Sequence, residues 1–472
     1  MTVRQTLFAA AMAAFGLAAA PALAQNCSNN PANFPGWLDG VRAEARAAGI
    51  SESAIAALNG IGYDQSVVNR DRAQGVFSQP FLEFSDRMVA QYRLDRGNQL
   101  LRQYADLFAR VERDFGVPGP VIVAFWALET DFGAGTGDFP TINAIATLAF
   151  DCRRPEEFRP QLLDALRLID RGDLTAAQMV GAWAGELGQT QFRPTEYLRQ
   201  GVDYDGDGRV DLFNSIPDVI ASSANLAVFH GWQRGQPWLE EVRVPANLPW
   251  EQADVTIRLP RSQWAAWGVV RRDGSALPSD NLPASLVLPM GRNGPAFIAY
   301  PNFGAYLLWN ESLVYSTTAA YLATRYAGAP RVSPGNGSVA SLSREQIQQL
   351  QQILQARGYN VGGADGIIGA QTRTAVRSEQ LRLGLPADGY PTQQFLAALG
   401  GAATAVAPAQ QLNTDQAREL QTILARLGYD IGAIDGIIGQ RTRAAVADVQ
   451  RQLGLPQDGI ATPELLQRLR TL

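Results

Sequence analysis

The feature that most limits how this chain can fold is an internal repeat near its end. The segment LQARGYNVGGADGIIGAQTRTAV, starting at Leu354, returns as LARLGYDIGAIDGIIGQRTRAAV, starting at Leu424, so that Gly358 falls on Gly428 at an offset of 70 residues. Two copies are too few to stack as a solenoid, which needs three or more units to bury a continuous core. Each copy must therefore close a small core of its own. Both show helical spacing up to a Gly-Tyr stop and then an Asp-Gly-Ile-Ile-Gly turn. A second helix opens at Thr372 or Thr442, and a Leu-Gly-Leu-Pro…Asp-Gly segment ends the unit. The domains so defined are 342–399 and 412–472, with a linker at 400–411.

Upstream, residues 329–341 have the Gly/Pro/Ser composition of a second linker. Residues 25–328 read as one large, mainly α domain, because apolar residues recur at helical spacing in 43–58, 91–115 and 160–169. A small mixed insertion with short extended runs occupies 238–300, and a helical pattern over 312–325 closes the domain.

Residues 1–24 carry Arg4, an apolar run from Leu7 to Ala20, and Ala22-Leu23-Ala24 before Gln25. This is a secretory signal pattern with cleavage expected after Ala24 and a periplasmic destination. The run falls short of the roughly 20 residues that span a bilayer, and the mature chain is expected to have no membrane span. Cys27 and Cys152 survive cleavage, and an oxidising compartment lets them pair; a disulfide is the favoured reading, two free thiols the other.

Composition removes whole classes of chemistry. No lysine occurs, all 40 basic residues are arginine, and His230 is the single histidine. Lysine Schiff bases and zinc sites built on several histidines are therefore excluded, and a Ser/His/Asp nucleophile would have to run through His230. That histidine sits before Gly231 at the apolar end of a helical pattern, where a structural role suits it. The net charge of -5 gives no footprint for a polyanion, so nucleic acid is not an expected partner.

Carboxylate chemistry remains, and Glu129 is the candidate. Pro118 and Pro120 suit a helix start, and Val121 to Leu128 is apolar on every face, as in a buried helix. A carboxyl at the end of that run is costly to ionise, which raises its pKa as a general acid requires. From the pattern alone, a buried glutamate satisfied by hydrogen bonds fits equally well. Asp131, two residues on, does not share its helix face and is a weak partner.

Four segments, in order, carry a resemblance: Leu-Glu-Thr-Asp-Phe-Gly at 128–133, the run 140–154 ending in Arg153-Arg154, the Gly-x-x-Gln-Phe-x-Pro block within 183–197, and Trp309-Asn310-x-Ser312-x-x-Tyr315. They resemble the murein transglycosylase B family (glycoside hydrolase family 103) over roughly residues 30 to 328, and the two repeats resemble a three-helix peptidoglycan-binding module.

The resemblance implies a lysozyme-like helical catalytic domain that cuts the MurNAc-GlcNAc β-1,4 bond of peptidoglycan without water and leaves 1,6-anhydro ends. Glu129 would be the sole acid/base, with no catalytic cofactor. Gln191, Tyr197, Trp309, Asn310 and Tyr315 would line the sugar subsites, and Arg153 and Arg154 would face lactyl or peptide carboxylates. The chain departs from the family at Trp309, where a tyrosine is usual, and at Ala182, where some relatives have serine. A hydrolytic muramidase and an inactive wall-binding scaffold are the alternatives.

Residues 203–214 fit the spacing of a calcium loop. Asp203, Asp205, Asp207 and Asp211 stand at positions 1, 3, 5 and 9, Gly206 at the sharp turn, and Arg209 at the seventh position. Position 12 is Asn214 rather than glutamate, so a structural calcium of modest affinity is expected. An Asp/Gly turn held by its own hydrogen bonds is the other reading.

Overall fold

The computed structural model describes residues 27–73, 79–337, 339–401, 412–453, 459 and 461–470. The signal-peptide reading of 1–24 and most of the 400–411 linker lie outside the described residues.

The fold is organised around the helix Gly119–Thr130. Pro118 and Pro120 start it, and every residue from Val121 to Leu128 is buried, because helices cover it on all sides. Helices Leu313–Tyr326 and Gln91–Gln103 pack directly on it. Two of the expected helices are broken. The 43–58 pattern divides into Phe34–Ala47, Glu52–Ile55 and a short 3-10 turn, because Gly49 takes a left-handed φ of 77°. The 91–115 pattern breaks at Tyr104 into Gln91–Gln103 and Ala105–Phe115. The 160–169 pattern lies inside Pro155–Arg171, and Ser312 caps Leu313–Tyr326 by accepting the Tyr315 N–H.

The mixed insertion is a five-stranded antiparallel sheet in the order Leu259–Pro260, Pro283–Val287, Ala296–Ala299, Leu239–Arg243, Val270–Arg271. Its register sets Leu239 opposite Ala299 and Val287 opposite Phe297. Side chains alternate between two cores. Phe297 and Ala299 join the helical core, whereas Ala296 and Ile298 join a separate one with Trp250 and Trp264. Burial on both faces is why Ala296–Ala299 is apolar throughout rather than alternating.

Each repeat folds as three helices around its own core. These are Arg344–Ala356, Ala370–Arg382 and Gln393–Gly401, then Thr414–Arg426, Gln440–Gln452 and Pro463–Leu469. A buried glutamine holds the Asp-Gly-Ile-Ile-Gly turn in both. Gln351 donates to Asp365 Oδ1 and Ile367 O and accepts the Gly366 N–H, and Gln421 does the same for Asp435, Ile437 and Gly436.

The 329–341 segment differs from the linker expected there: it is fastened to the large domain. Val332 is buried in the helical core and its N–H donates to Tyr321, Ser333 bonds to Glu241, and Gly337 N donates to Asn293 O. Gly335 (φ 93°) lies so close to the Gly294 backbone that a Cβ would fall 2.2 Å from its carbonyl carbon, so only glycine fits. Gly/Pro-rich composition was a sign of irregular backbone here, not of freedom.

Candidate active site

The Gly119–Thr130 helix ends immediately after Glu129. Asp131 (φ 54°) and Phe132 (φ 62°) are both left-handed, a conformation that costs an ordinary residue about 1–2 kcal/mol. The surroundings enforce it. Asp131 is gripped by Arg93 Nε at 3.0 Å and Tyr92 OH at 3.1 Å, and Phe132 meets Trp126 edge to face. Thr130 Oγ1 accepts the Gly133 N–H at 2.8 Å and donates to Gln189 O at 2.5 Å. Asp131 is thus an anchor of the turn that presents Glu129, consistent with its weak claim to chemistry.

Glu129 is partly buried, and two donors converge on one of its oxygens. Trp309 Nε1 donates to Oε1 at 2.9 Å, and the Tyr315 hydroxyl donates to the same atom. Trp309 is held flat against Phe125, with ring centroids 3.8 Å apart and planes 13° from parallel, and its edge meets Phe192. Burial pushes the Glu129 carboxyl up to about 7; the two hydrogen bonds pull it down, and the charges of Glu186 and Glu196 add to the rise. A carboxyl held there is protonated often enough near neutrality to act as an acid and ionised often enough to act as a base.

Sequence reasoning missed a second carboxyl nearby. Glu186 lies in the turn between Ala182, whose N–H its carbonyl accepts, and Leu187, which pairs with Phe192 beneath Trp309. Burial raises its pKa, with Arg193 opposing, and its Oε2 is buried without a hydrogen-bond partner. An acidic residue inside a Gly-rich apolar turn was the available signal.

The remaining expected subsite residues divide. Gln191 sits in a left-handed conformation (φ 53°) with its amide on Thr136 O and Gly188 O. Asn310 ends the helix Phe303–Trp309, and its side-chain oxygen accepts the Ser312 N–H at the turn into the next helix. Tyr197 requires correction: it is fully buried, donating to Val210 O and accepting from Leu212 N, so it locks the fold and does not line a cleft. Its place in the matching block was a packing signal. Arg153 and Arg154 both pair with the buried Asp71, and Arg154 also meets Glu157, so neither stands as a free cation. His230 caps the helix Ile216–Phe229 at its C-terminus, and burial lowers its pKa, which fits the structural role.

The 203–214 loop brings together a different acidic set from the one expected. Asp203, Asp205 and Asp218 offer carboxylate oxygens all within 4.8 Å of one another. Asp207 instead caps its own turn at Arg209 N, and Asp211 accepts the N–H groups of Phe213 and Asn214. The Arg209 guanidinium lies 3.4 Å from Asp207 and 3.8 Å from Asp211. Of the expected loop carboxylates, Asp203 and Asp205 lie together, joined by Asp218 from the following helix. Three hard oxygen donors of this kind suit a calcium ion.

Cys27 and Cys152 are joined in a disulfide. Among the described residues no helix is long and apolar enough to cross a membrane.

Comparison with known proteins agrees with this architecture. The transglycosylase SLT domain model matches residues 33–324, and a peptidoglycan binding domain model matches 343–399 and 413–469. The chain belongs to the transglycosylase SLT domain family, with a lysozyme-like fold and C-terminal peptidoglycan-binding domains. It is homologous to membrane-bound lytic murein transglycosylase B of Escherichia coli, 28% identical over 239 residues, or 50% of this chain and 64% of that protein. The match thus spans just under two thirds of that relative's own length. Among solved structures, SltB3 of Pseudomonas aeruginosa in complex with NAG-anhNAM-pentapeptide is 40% identical, with a TM-score of 0.72, over 78% of this chain and 99% of that one. The Escherichia coli lytic transglycosylase Slt35 in complex with calcium is 26% identical, with a TM-score of 0.54, over 65% of this chain and 96% of that one.

Proposed function

We propose that this protein cleaves the β-1,4 bond between N-acetylmuramic acid and N-acetylglucosamine in peptidoglycan without adding water, and that Glu129 serves as both acid and base. The observation that carries this reading is the pair of donors on Glu129 Oε1. An oxygen accepting two hydrogen bonds cannot also hold the carboxyl proton and direct it outward, so the proton resides on Oε2. From there it passes to the glycosidic oxygen as the C1–O bond breaks, and charge builds on the muramoyl ring. Glu129 is left as a carboxylate whose Oε1 is stabilised by Trp309 and Tyr315. That carboxylate takes the proton of the muramoyl 6-hydroxyl as its oxygen attacks C1, closing the 1,6-anhydro ring.

The nucleophile belongs to the substrate, which supplies an intramolecular advantage and removes the need for a second base. Hydrolysis by the general-base route would need a carboxylate to activate water. Asp131 is committed to Arg93 and Tyr92 and does not suit that task.

The matches of both repeats support peptidoglycan as the substrate. The leader-like pattern of 1–24 and the Cys27–Cys152 bond support export to an oxidising periplasm. Asp203, Asp205 and Asp218 would hold a structural calcium ion, which brings the 203–214 loop and the helix Ile216–Phe229 together and takes no part in cleavage.

The deciding experiment digests purified peptidoglycan and examines the products by mass spectrometry, with Glu129→Gln in parallel. Anhydro-muramoyl ends from the unaltered protein alone are expected. Reducing ends would overturn the reading in favour of hydrolysis, and no release at all would favour a binding scaffold.

A further inference from the structure

The two repeats share a sequence pattern but not a setting. The first is built into the large domain. Tyr390 is buried as part of the helical core itself, and the Arg373 guanidinium lies 5.5 Å over its ring. Arg373 also donates to Leu288 O at 3.1 Å and Pro289 O at 2.6 Å. Arg377, 4% exposed, forms an ion pair with Asp254 at 2.6 Å and donates to Ala253 O. Asp388 accepts the Arg292 N–H at 2.9 Å. The 329–341 segment, fastened at Val332, Ser333 and Gly337, leads into this interface. A cavity of about 30 Å³ is lined by Phe81 and Val314 from the large domain and Ile368 and Tyr390 from the repeat. Val314 is the neighbour of Tyr315, which donates to Glu129.

The second repeat lacks two of these side chains. Arg377 and Tyr390 are replaced by Ala447 and Ile460 at the 70-residue offset. Arg443, at the place of Arg373, donates to Ile438 O of its own repeat and, like Arg373, feels the charge of Asp254. Its core, which includes Leu420, Leu424, Val446 and Leu465, is separate from that of the large domain, as the first repeat's own core is, but among the described residues none of its side chains joins the helical core as Tyr390 does.

We propose that the first repeat acts as a built-in brace that holds the Tyr315 helix in place, and that tethering to the cell wall falls to the second repeat. This rests on the reading that the chain works on peptidoglycan. A wall tether gains from freedom to search, whereas a brace gains from burial, and the residues that separate the two repeats are those at the docked face.

Full-length protein carrying Glu129→Gln is tested for co-sedimentation with isolated, insoluble peptidoglycan sacculi, so binding is read apart from cleavage. Turnover of soluble glycan strands is measured in the active background. Val446→Asp, which places a charge in the second repeat's core, is expected to weaken sacculus binding at least tenfold while leaving soluble turnover and the main melting transition unchanged. Tyr390→Ala and Arg377→Ala are expected to keep sacculus affinity, lower the main transition by several degrees and reduce kcat on soluble strands with KM unchanged. Tyr390→Phe, which keeps the ring, should restore both. Unchanged sacculus binding by Val446→Asp would overturn the tether assignment. Undiminished kcat in both Tyr390→Ala and Arg377→Ala, or a loss of sacculus binding in them equal to that of Val446→Asp, would overturn the brace.

Discussion

The indole N–H of Trp309 lies 2.9 Å from Oε1 of Glu129, a hydrogen bond between residues 180 positions apart in the sequence. It shares that oxygen with Tyr315, so two donors converge on one atom of the carboxyl.

Glu129→Gln removes the proton while keeping the shape and both donor contacts. General acid–base groups contribute about 10²- to 10⁴-fold to rate. A loss of about 10³-fold in turnover of glycan strands is expected with an unchanged melting temperature, measured by product release and calorimetry. Retained turnover would remove Glu129 from the mechanism.

The alkaline limb of the pH–rate profile should follow the same group. On the proposed mechanism cleavage needs the protonated form, so kcat/KM should fall above about pH 7, where burial has placed the Glu129 carboxyl. Trp309→Phe and Tyr315→Phe each remove a hydrogen bond that lowers this pKa. Hydrogen bonds to charged groups contribute about 1.5–3 kcal/mol, so the limb should move up by about one to two pH units in each variant. A pH–rate profile that stays in place would mean the two donors do not act on the titrating carboxyl.

Glu186 offers a test through stability. Its pKa is raised in the folded protein by burial, so the native state holds its proton above the pH at which the unfolded chain releases it. The folded state therefore loses stability as pH rises from the ordinary carboxyl value, near 4.3, through the raised one. Glu186→Gln cannot ionise and escapes that loss. Thermal melts should show the variant gaining on the unaltered protein at pH 8 relative to pH 5, and an equal difference at both would sink the idea.

Calcium should stabilise the protein through the 203–218 region. A ligand that binds only the folded state at 100 times its Kd adds about 2.7 kcal/mol, enough to raise the melting temperature measurably. The rise should vanish in Asp203→Asn and Asp218→Asn but persist in Asp207→Asn, whose side chain caps its own turn. Equal loss in Asp207→Asn would restore the simple loop spacing.

Reduction of Cys27–Cys152 opens a loop whose ends are 125 residues apart. The chain-entropy relation gives a loss of about 5 kcal/mol for a loop of that size, as an upper figure. Denaturant melts with and without reductant, compared with a Cys27→Ser/Cys152→Ser double variant, would measure it. Identical midpoints would show that the bond contributes nothing to folding.

Legibility in the sequence followed the range of the interaction. The apolar run 121–128 forecast a helix buried on all sides with Glu129 at its end, because helical periodicity and the cost of burying a carboxyl are local properties. The helices that broke at Gly49 and Tyr104 kept their periodicity across the break, so pattern alone could not place the turn.

By itself the sequence determined the duplicated three-helix units, the helical character of the large domain, and the exclusion of lysine and multi-histidine chemistry. Only the tertiary structure decided which residues meet. It buried Tyr197 away from any cleft, brought Asp218 beside Asp203 and Asp205 in place of Asp207 and Asp211, and fastened the 329–341 segment. It also set two donors on one oxygen of Glu129 and drew one of two near-identical repeats into the core through Tyr390. Periodicity reports which face of an element is apolar, but the neighbour that covers the face is chosen by packing among distant segments. That packing depends on the shapes of all of them together.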